Sequence, residues 1–362
     1  MSYCSRTVFR CFKALERFGD RVTGAAGPFF VGLAVLLIGA GTVCFFEVIS
    51  PTLACKPLTL PLCVLIAANL HAHYYYVCTV PPGFVEDPPR EGGGGLLWAR
   101  KRGNGNGGGR GRVLTGGRGG GGGVRWSEEV RVTRAEVTRC GKCGQAKPER
   151  THHCRICNRC VLKYDHHCPV SALSFVLLSG FELGINQCVG LHNERHFVMF
   201  MAYLVLSTFC LSVLGYQELF NALGVSYTPW PHTVPEIMYI MIYILSGVLC
   251  LAVGIMLAYH LYGIGNGETS VEGQDHEVYR KRAKARGEEF VNSYDLGKWK
   301  NLQLFFNIGE HGYPLYTLIL PLRIDPYTDG RSWARRAGYE RHHGVRSGEE
   351  LTDDDGDGDD EA

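Results

Sequence analysis

Four stretches of the chain carry no charged residue over lengths close to those a bilayer demands: Phe29 to Phe46, Leu58 to Val80, Phe197 to Tyr216 and Ile237 to Tyr259. A hydrocarbon core about 30 Å thick takes roughly 20 residues of helix. A water-soluble helix of that length would show a polar stripe, and these show none. The expectation is an α-helical membrane protein with four transmembrane helices. The first is read as an anchor rather than a cleaved leader, because it starts late and no small-residue cleavage site follows it.

The net charge of +2 hides a strong asymmetry. Met1 to Gly27 carries five Lys or Arg, Pro81 to Arg195 carries 18, and the segment after Tyr262 carries 13. The connection between the first two apolar stretches has only Lys56, and Gln217 to Glu236 has none. Lys and Arg collect on the cytoplasmic side of a membrane, so both termini and the long central segment are placed in the cytosol. The expected order is a cytosolic N-terminus over residues 1–28, helices 1 and 2 within 29–80, a Gly/Arg-rich linker over 91–124, a cysteine-rich domain over 137–195, helices 3 and 4 within 196–262, a cytosolic region over 263–348 and an acidic tail over 349–362. The linker "EGGGGLLWARKRGNGNGGGRGRVLTGGRGGGGGV" cannot bury enough apolar surface to fold alone. Its arginines follow the charge rule or meet anionic lipid, and no nucleic-acid partner is expected. "RKRAKARGEEF" is a charged helix candidate at the membrane surface, and Pro314 to Leu322 is apolar but too short to span.

Seven of the fifteen cysteines lie between Cys140 and Cys188. The cytosol keeps thiols reduced, so metal binding or catalysis is the reading there. "CGKCGQAKPERTHHCRICNRCVLKYDHHCPV" holds two CxxC pairs, Cys140 with Cys143 and Cys154 with Cys157, together with Cys160, His152, His153, His166 and His167. Tetrahedral zinc takes thiolate and imidazole ligands, and CxxC lets two sulfurs reach one ion from a tight turn. Two sites of three cysteines and one histidine use six of the seven cysteines. Cys168 is the one left over, because Asp165 and His166 stand beside it.

"DHHC" followed by Pro, inside a cysteine-rich segment between the second and third apolar stretches, resembles the DHHC family of protein S-acyltransferases. The likeness extends to "NQCVGLHNERHFVMF" leading into helix 3. It also covers "ETSVE", where Thr269, Ser270 and Glu272 match a Thr-Thr-x-Glu element, "NSYDLG" over Asn292 to Gly297, and "VPPG" over Val80 to Gly83. The resemblance implies two structural zinc ions, one held by Cys140, Cys143, His153 and Cys160, the other by Cys154, Cys157, His167 and Cys188. It implies palmitoyl-CoA as acyl donor, cysteine-containing membrane-associated proteins as acceptors, and residence in the endoplasmic reticulum or Golgi. In the corresponding chemistry Cys168 is the nucleophile, His166 its base, and Asp165 holds the imidazole in the right tautomer. Lys147, Arg150 and Lys163 are candidates for the CoA phosphates. Two other readings compete: a catalytically silent member acting as a scaffold, and a membrane-anchored zinc module that binds partners.

One block departs from the family pattern. Val170 stands where Trp is usual, and Ser171 to Gly184 then separates it from "INQCVG". Deleting residues 171–184 restores the pattern, so the block reads as an insertion, from a retained intron or gene-model error or as a genuine loop. Elsewhere Cys44, Cys63, Cys78, Cys210 and Cys250 read as small packing residues, and Cys4 and Cys11 as candidates for acylation or as free thiols. His71 and His73 read as interfacial anchors beside "YYY", and Glu47 as a helix-end residue without special role.

Overall fold

The computed structural model describes residues 28–88, 95–101, 124–125, 131–168, 187–225, 229–309 and 312–346. Cys4, Cys11, most of the Gly/Arg-rich linker, the 171–184 block and the acidic tail lie outside the described residues. In chain order the helices are α1 (Pro28–Thr52), α2 (Lys56–Thr79), α3 (Glu194–Leu214), α4 (Tyr216–Ala222), α5 (Glu236–Gly265), α6 (Ser270–Ala285) and α7 (Lys298–Phe305). The strands are β1 (Val124–Arg125), β2 (Arg131–Arg134), β3 (Val137–Arg139), β4 (Ala146–Pro148), β5 (His152–Cys154), β6 (Arg159–Val161), β7 (His166–Cys168), β8 (Gln187–Val189) and β9 (Ser332–Arg335).

Among the described residues, α1, α3 and α5 are long and apolar enough to cross a membrane. A helix satisfies its own backbone hydrogen bonds, which is what lets it stand in lipid. The outward residues are apolar too: Leu36, Ile244, Leu251 and Ile255 are all exposed, which water would penalise and lipid would not. The expected second span forms α2, but Asn69, His71 and His73 in its C-terminal half dilute its apolar character. Composition therefore supports three spans where the sequence pattern suggested four. The observed helices also outrun the charge-free stretches: α1 continues to Thr52 and α5 to Gly265.

The chain divides into two compact units. The first comprises residues up to His71, His167–Gln187 and Phe200–Ile255. Its core joins Cys44, Val48 and Ile49 of α1 to Leu211, Tyr239 and Ile242. Buried hydroxyls there find partners: Tyr239 Oη donates to Gly215 O (2.9 Å), Tyr243 Oη donates to Ser212 O (2.8 Å), and Ser212 and Ser246 share a bond of 2.9 Å. Glu47 has a role after all, since its carboxylate accepts from Thr233 Oγ1 (2.5 Å) and from Val234 N (3.1 Å). An apolar cavity of about 100 Å³ is lined by Leu37, Phe45, Ile66, Leu204, Ile242 and Leu249, among others.

The second unit comprises Ala72–His166, Cys188–Met199 and Met256 onward. Its sheet runs in the order β1-β2-β9, with Val132 opposite Ala334 and Thr133 opposite Trp333. Trp333 is fully buried and packs in a cluster with Leu162, Leu191 and Tyr294. His73 is likewise fully buried, with Nδ1 3.2 Å from His196 Nδ1, so it belongs to helix packing rather than to an interfacial anchor. Helix α6 is punctuated at both ends. Thr269 and Glu272 form a capping box. Gly287, at φ +74, closes the other end, with Glu288 N–H donating to Ala283 O and its own N–H to Lys284 O.

Candidate functional site

Two short hairpins and a further strand pair build the cysteine-rich region. In the first, β3 and β4 pair antiparallel with Arg139 opposite Ala146. The turn between them carries Cys140 and Cys143 and closes through Cys140 N–H to Gln145 O (3.0 Å) and Gly144 N–H to Cys140 O (2.8 Å). In the second, β5 and β6 pair with His153 opposite Cys160 and Cys154 opposite Arg159. Side chains alternate along a strand, and directly opposed residues share a face. His153 and Cys160 therefore look one way and Cys154 the other, so a single hairpin serves two donor sets. In its turn Cys157 N–H points at Cys154 Sγ (3.3 Å). The further pair is β7 with β8. The same alternation puts His167 on one face of β7 and His166 with Cys168 on the other.

The first donor set is Cys140, Cys143, His153 and Cys160. Cys143 and Cys160 sulfurs lie 3.4 Å apart, and His153 Nδ1 lies 3.7 Å from Cys140 Sγ and 3.8 Å from Cys160 Sγ. The second is Cys154, Cys157, His167 and Cys188, with Cys157 and Cys188 sulfurs 3.4 Å apart. Within each set all ligand atoms lie within 4.8 Å of one another. Metal–sulfur bonds of about 2.3 Å in a tetrahedron place sulfurs about 3.8 Å apart, so both sets fit a four-coordinate ion with no position left for water. Cys168 is buried and belongs to neither set.

Beside the second set stands Asp165. Its Oδ2 accepts from His166 Nδ1 at 2.7 Å and its Oδ1 accepts from the backbone N–H of Ser270 at 2.6 Å. Burial works against ionisation of Asp165. The His166 hydrogen bond, the His166 and His260 imidazoles and the Ser270 amide nonetheless hold its carboxyl well below the usual carboxylate range. Thr269 Oγ1, the cap of α6, also donates to Tyr164 O (3.1 Å). The N-terminus of α6 is thereby fixed to the Tyr164 carbonyl and the Asp165 carboxylate.

Arg150 locks this arrangement from below. It holds Glu272 with two bonds of 2.6 Å and donates to Gly267 O at 3.0 Å, while its guanidinium lies over Tyr294 and Trp333, 4.4 and 4.9 Å from their ring centres. Burial alone would lift the pKa of Glu272, but Arg150 carries it down to about 2. Lys163 Nζ meets Glu194 Oε1 at 2.6 Å, also away from solvent. Arg150, Lys163, Asp165 and Glu194 line one cavity of about 270 Å³ with His260 and Phe305. Of the basic residues expected at CoA phosphates, Arg150 and Lys163 thus have their charge already neutralised by carboxylates, and Lys147 is buried in β4.

The turn "VPPG" and the residues after β8 complete the frame. Gly83 takes φ +99, and a Cβ there would meet the His192 ring at 2.6 Å. Leu162 N–H donates to Gly83 O (2.9 Å) and His192 N–H to Pro82 O (3.0 Å). Asn193, fully buried, accepts from Gly190 N and donates to Cys188 O, both at 2.9 Å. Asn193, Glu194 and His260 carried no site role in the sequence reading. Only the sequence neighbours of Asn193 and Glu194, inside "NQCVGLHNERHFVMF", offered a signal for them, and His260 had none beyond a polar residue closing an apolar run.

A family profile described as DHHC palmitoyltransferase matches residues 134–174 and 183–277, breaking off inside the 171–184 block. The palmitoyltransferase ZDHHC16A of Danio rerio is 29% identical over 241 residues, covering 54% of this chain and 59% of that protein. The probable protein S-acyltransferase 15 of Arabidopsis thaliana is 34% identical over 170 residues, covering 46% of this chain and 59% of that protein. The palmitoyltransferase ZDHHC16 of Homo sapiens is 28% identical over 225 residues, covering 55% and 56%. The chain spans less than two thirds of the length of each of these relatives.

Proposed function

Since the chain belongs to the DHHC palmitoyltransferase family, we propose that it is a protein-cysteine S-acyltransferase that moves a long-chain acyl group from acyl-CoA, through an acyl-Cys168 intermediate, to cysteines of membrane-associated proteins. The carrying observation is one strand. His167 of β7 belongs to a set that could hold a metal ion, while Cys168 stands outside both sets and alternation puts it on the face of His166, whose ring is held by Asp165 at 2.7 Å.

In the first step His166 takes the Cys168 proton. The thiolate forms a bond to the thioester carbon, the carbon–sulfur bond to CoA breaks, and the CoA sulfur leaves with that proton. In the second step His166 takes the proton of a substrate cysteine thiol, the substrate sulfur bonds to the acyl carbon, the carbon–sulfur bond to Cys168 breaks, and Cys168 leaves with that proton as the thiol. Asp165 holds His166 Nδ1 and so leaves Nε2 to serve as the base. Zinc is the ion that suits both donor sets, and in closed four-ligand sites it serves structure. An acyl chain buried among the helices would gain about 0.8 kcal/mol per methylene. The role assigned to Arg150 and Lys163 is to hold the cavity wall beside Asp165, with Lys147 kept as a candidate for CoA.

In the same proposal α2 is the second of four spans. Its 24 residues reach about 36 Å at 1.5 Å per residue, and Leu58, Leu60, Leu62 and Val64 are exposed along it. The termini and the cysteine-rich domain face the cytosol of an endomembrane, the endoplasmic reticulum or Golgi. A second reading, a catalytically silent scaffold, draws on the break in the family match between residues 174 and 183.

The deciding experiment incubates the purified full chain with labelled palmitoyl-CoA. Hydroxylamine-sensitive label on the wild type, lost in Cys168→Ser with both metal ions retained, is the expected result. Label that persists in Cys168→Ser, or a metal ion bound by Cys168, overturns the proposal. Unlabelled but metal-replete wild type supports the scaffold.

A further inference from the structure

His260 sits in the last turns of α5, outside every motif that marks the family likeness. Its Nδ1 lies 3.6 Å from Asp165 Oδ2, the same oxygen that accepts from His166. Its ring lies 5.8 Å from the His166 ring and 5.3 Å from that of Phe197, which in turn stands 5.1 Å from His166. The side chain is largely shielded from solvent and forms part of the cavity wall next to Asp165. The ligand atoms of Asp165, His166 and His260 fall within 4.8 Å of one another.

A carboxylate that orients a catalytic imidazole must itself be held against rotation. Asp165 is fixed at Oδ1 by the Ser270 N–H and engaged at Oδ2 by His166. If those were its only neighbours, the plane of the carboxylate would rest on the residue it is meant to orient. His260 supplies an independent polar neighbour at Oδ2, delivered by a different element. With Phe197 it also flanks the His166 ring, leaving that ring little room to tilt.

We propose that His260 is a positioning residue for the Asp165–His166 pair. Its Nδ1 holds the Oδ2 side of the carboxylate, and its ring, with Phe197, sets the plane of the His166 imidazole. At 3.6 Å the contact is longer than a hydrogen bond, so His260 acts as a polar and steric neighbour of the carboxylate. The inference rests on the acyltransferase reading.

Two substitutions separate positioning from bulk. Asn places an amide nitrogen close to where His Nδ1 stands but is smaller than His. Leu keeps most of the volume and carries no polar atom. The measurement is the autoacylation rate constant of the full chain across palmitoyl-CoA concentrations, with metal content determined for each variant. His260→Leu should lower the maximal rate roughly ten-fold or more, since misplacement of about 1 Å costs on the order of 100-fold. The half-saturating palmitoyl-CoA concentration and the metal content should match the wild type. His260→Asn should recover most of the lost rate. The reverse order, Leu near wild type and Asn impaired, assigns His260 to packing and overturns the inference. So does loss of metal from His260→Leu, or a change confined to half-saturation. Both variants matching an active wild type overturns the inference and leaves the acyltransferase reading standing. A wild type that takes no label overturns both.

Discussion

At the scale of single residues, the site depends on charges that are buried and matched. Arg150 and Glu272 form a two-bond pair between positions 122 residues apart, and each would be costly to bury alone. Removing one partner of such a pair typically costs about 3–5 kcal/mol. The pKa of Glu272 gives this a pH signature. Its ordinary value is about 4.3 and its folded value about 2. The folded state therefore binds the proton more weakly than the unfolded chain. The stabilisation is complete above pH ~4.3 and is lost as pH falls from there through about 2. Thermal unfolding in detergent should show Glu272→Gln melting well below the wild type at pH 7, with the gap narrowing below pH ~4. A gap that stays constant with pH would mean that the ion pair is not its source. Asp165 follows the same logic with a catalytic consequence. Held below the usual range by His166 and the Ser270 amide, it favours the ionised form.

At the scale of elements, the hairpins that carry the donors have three residues per strand. Isolated pairs of that length are at best marginal in water, so metal coordination has to supply what the ladders do not. Chelation of the metal that the two donor sets would hold should therefore abolish autoacylation together with the near-ultraviolet circular dichroism of the cysteine-rich domain, while far-ultraviolet helix signal persists. Activity that survives complete metal removal would sink this account. The 171–184 block belongs to the same scale. Its "LSFVLLSGF" core is apolar and lies between Cys168 and Cys188. Extending a closed loop adds only modest entropy, so Cys188 still joins its donor set, with Cys157 Sγ 3.4 Å away. In the proposed mechanism the cost falls on the neighbourhood of Cys168 instead. Removing residues 171–184 should raise autoacylation, and an unchanged rate would show the block to be harmless.

At the scale of the whole molecule, orientation follows from where Lys and Arg stand. A tag inserted after Gly224 should resist protease in sealed microsomes, and a C-terminal tag should be digested. The opposite pattern would reverse the topology. The apolar runs and the interleaved Cys and His spacings were legible in the sequence because hydropathy and short-range ligand geometry are local properties. A CxxC pair is close in space because it is close in the chain, and period-2 alternation then assigns adjacent histidines to opposite faces of β7. Three things were not legible. The apolar weight of α2 is diluted by Asn69 and His73, which the tertiary structure buries. Arg150 and Lys163 look like free cations in the sequence, but Glu272 and Glu194 neutralise them across long stretches of chain. His260 reads as the polar end of a span until folding sets it 3.6 Å from Asp165. Residue types and spacings by themselves determined the chemistry available to this protein. Only the tertiary structure decided which charges are neutralised and what stands against the Asp165 carboxylate, because those contacts join residues roughly 30 to 120 positions apart, whose meeting no local pattern records.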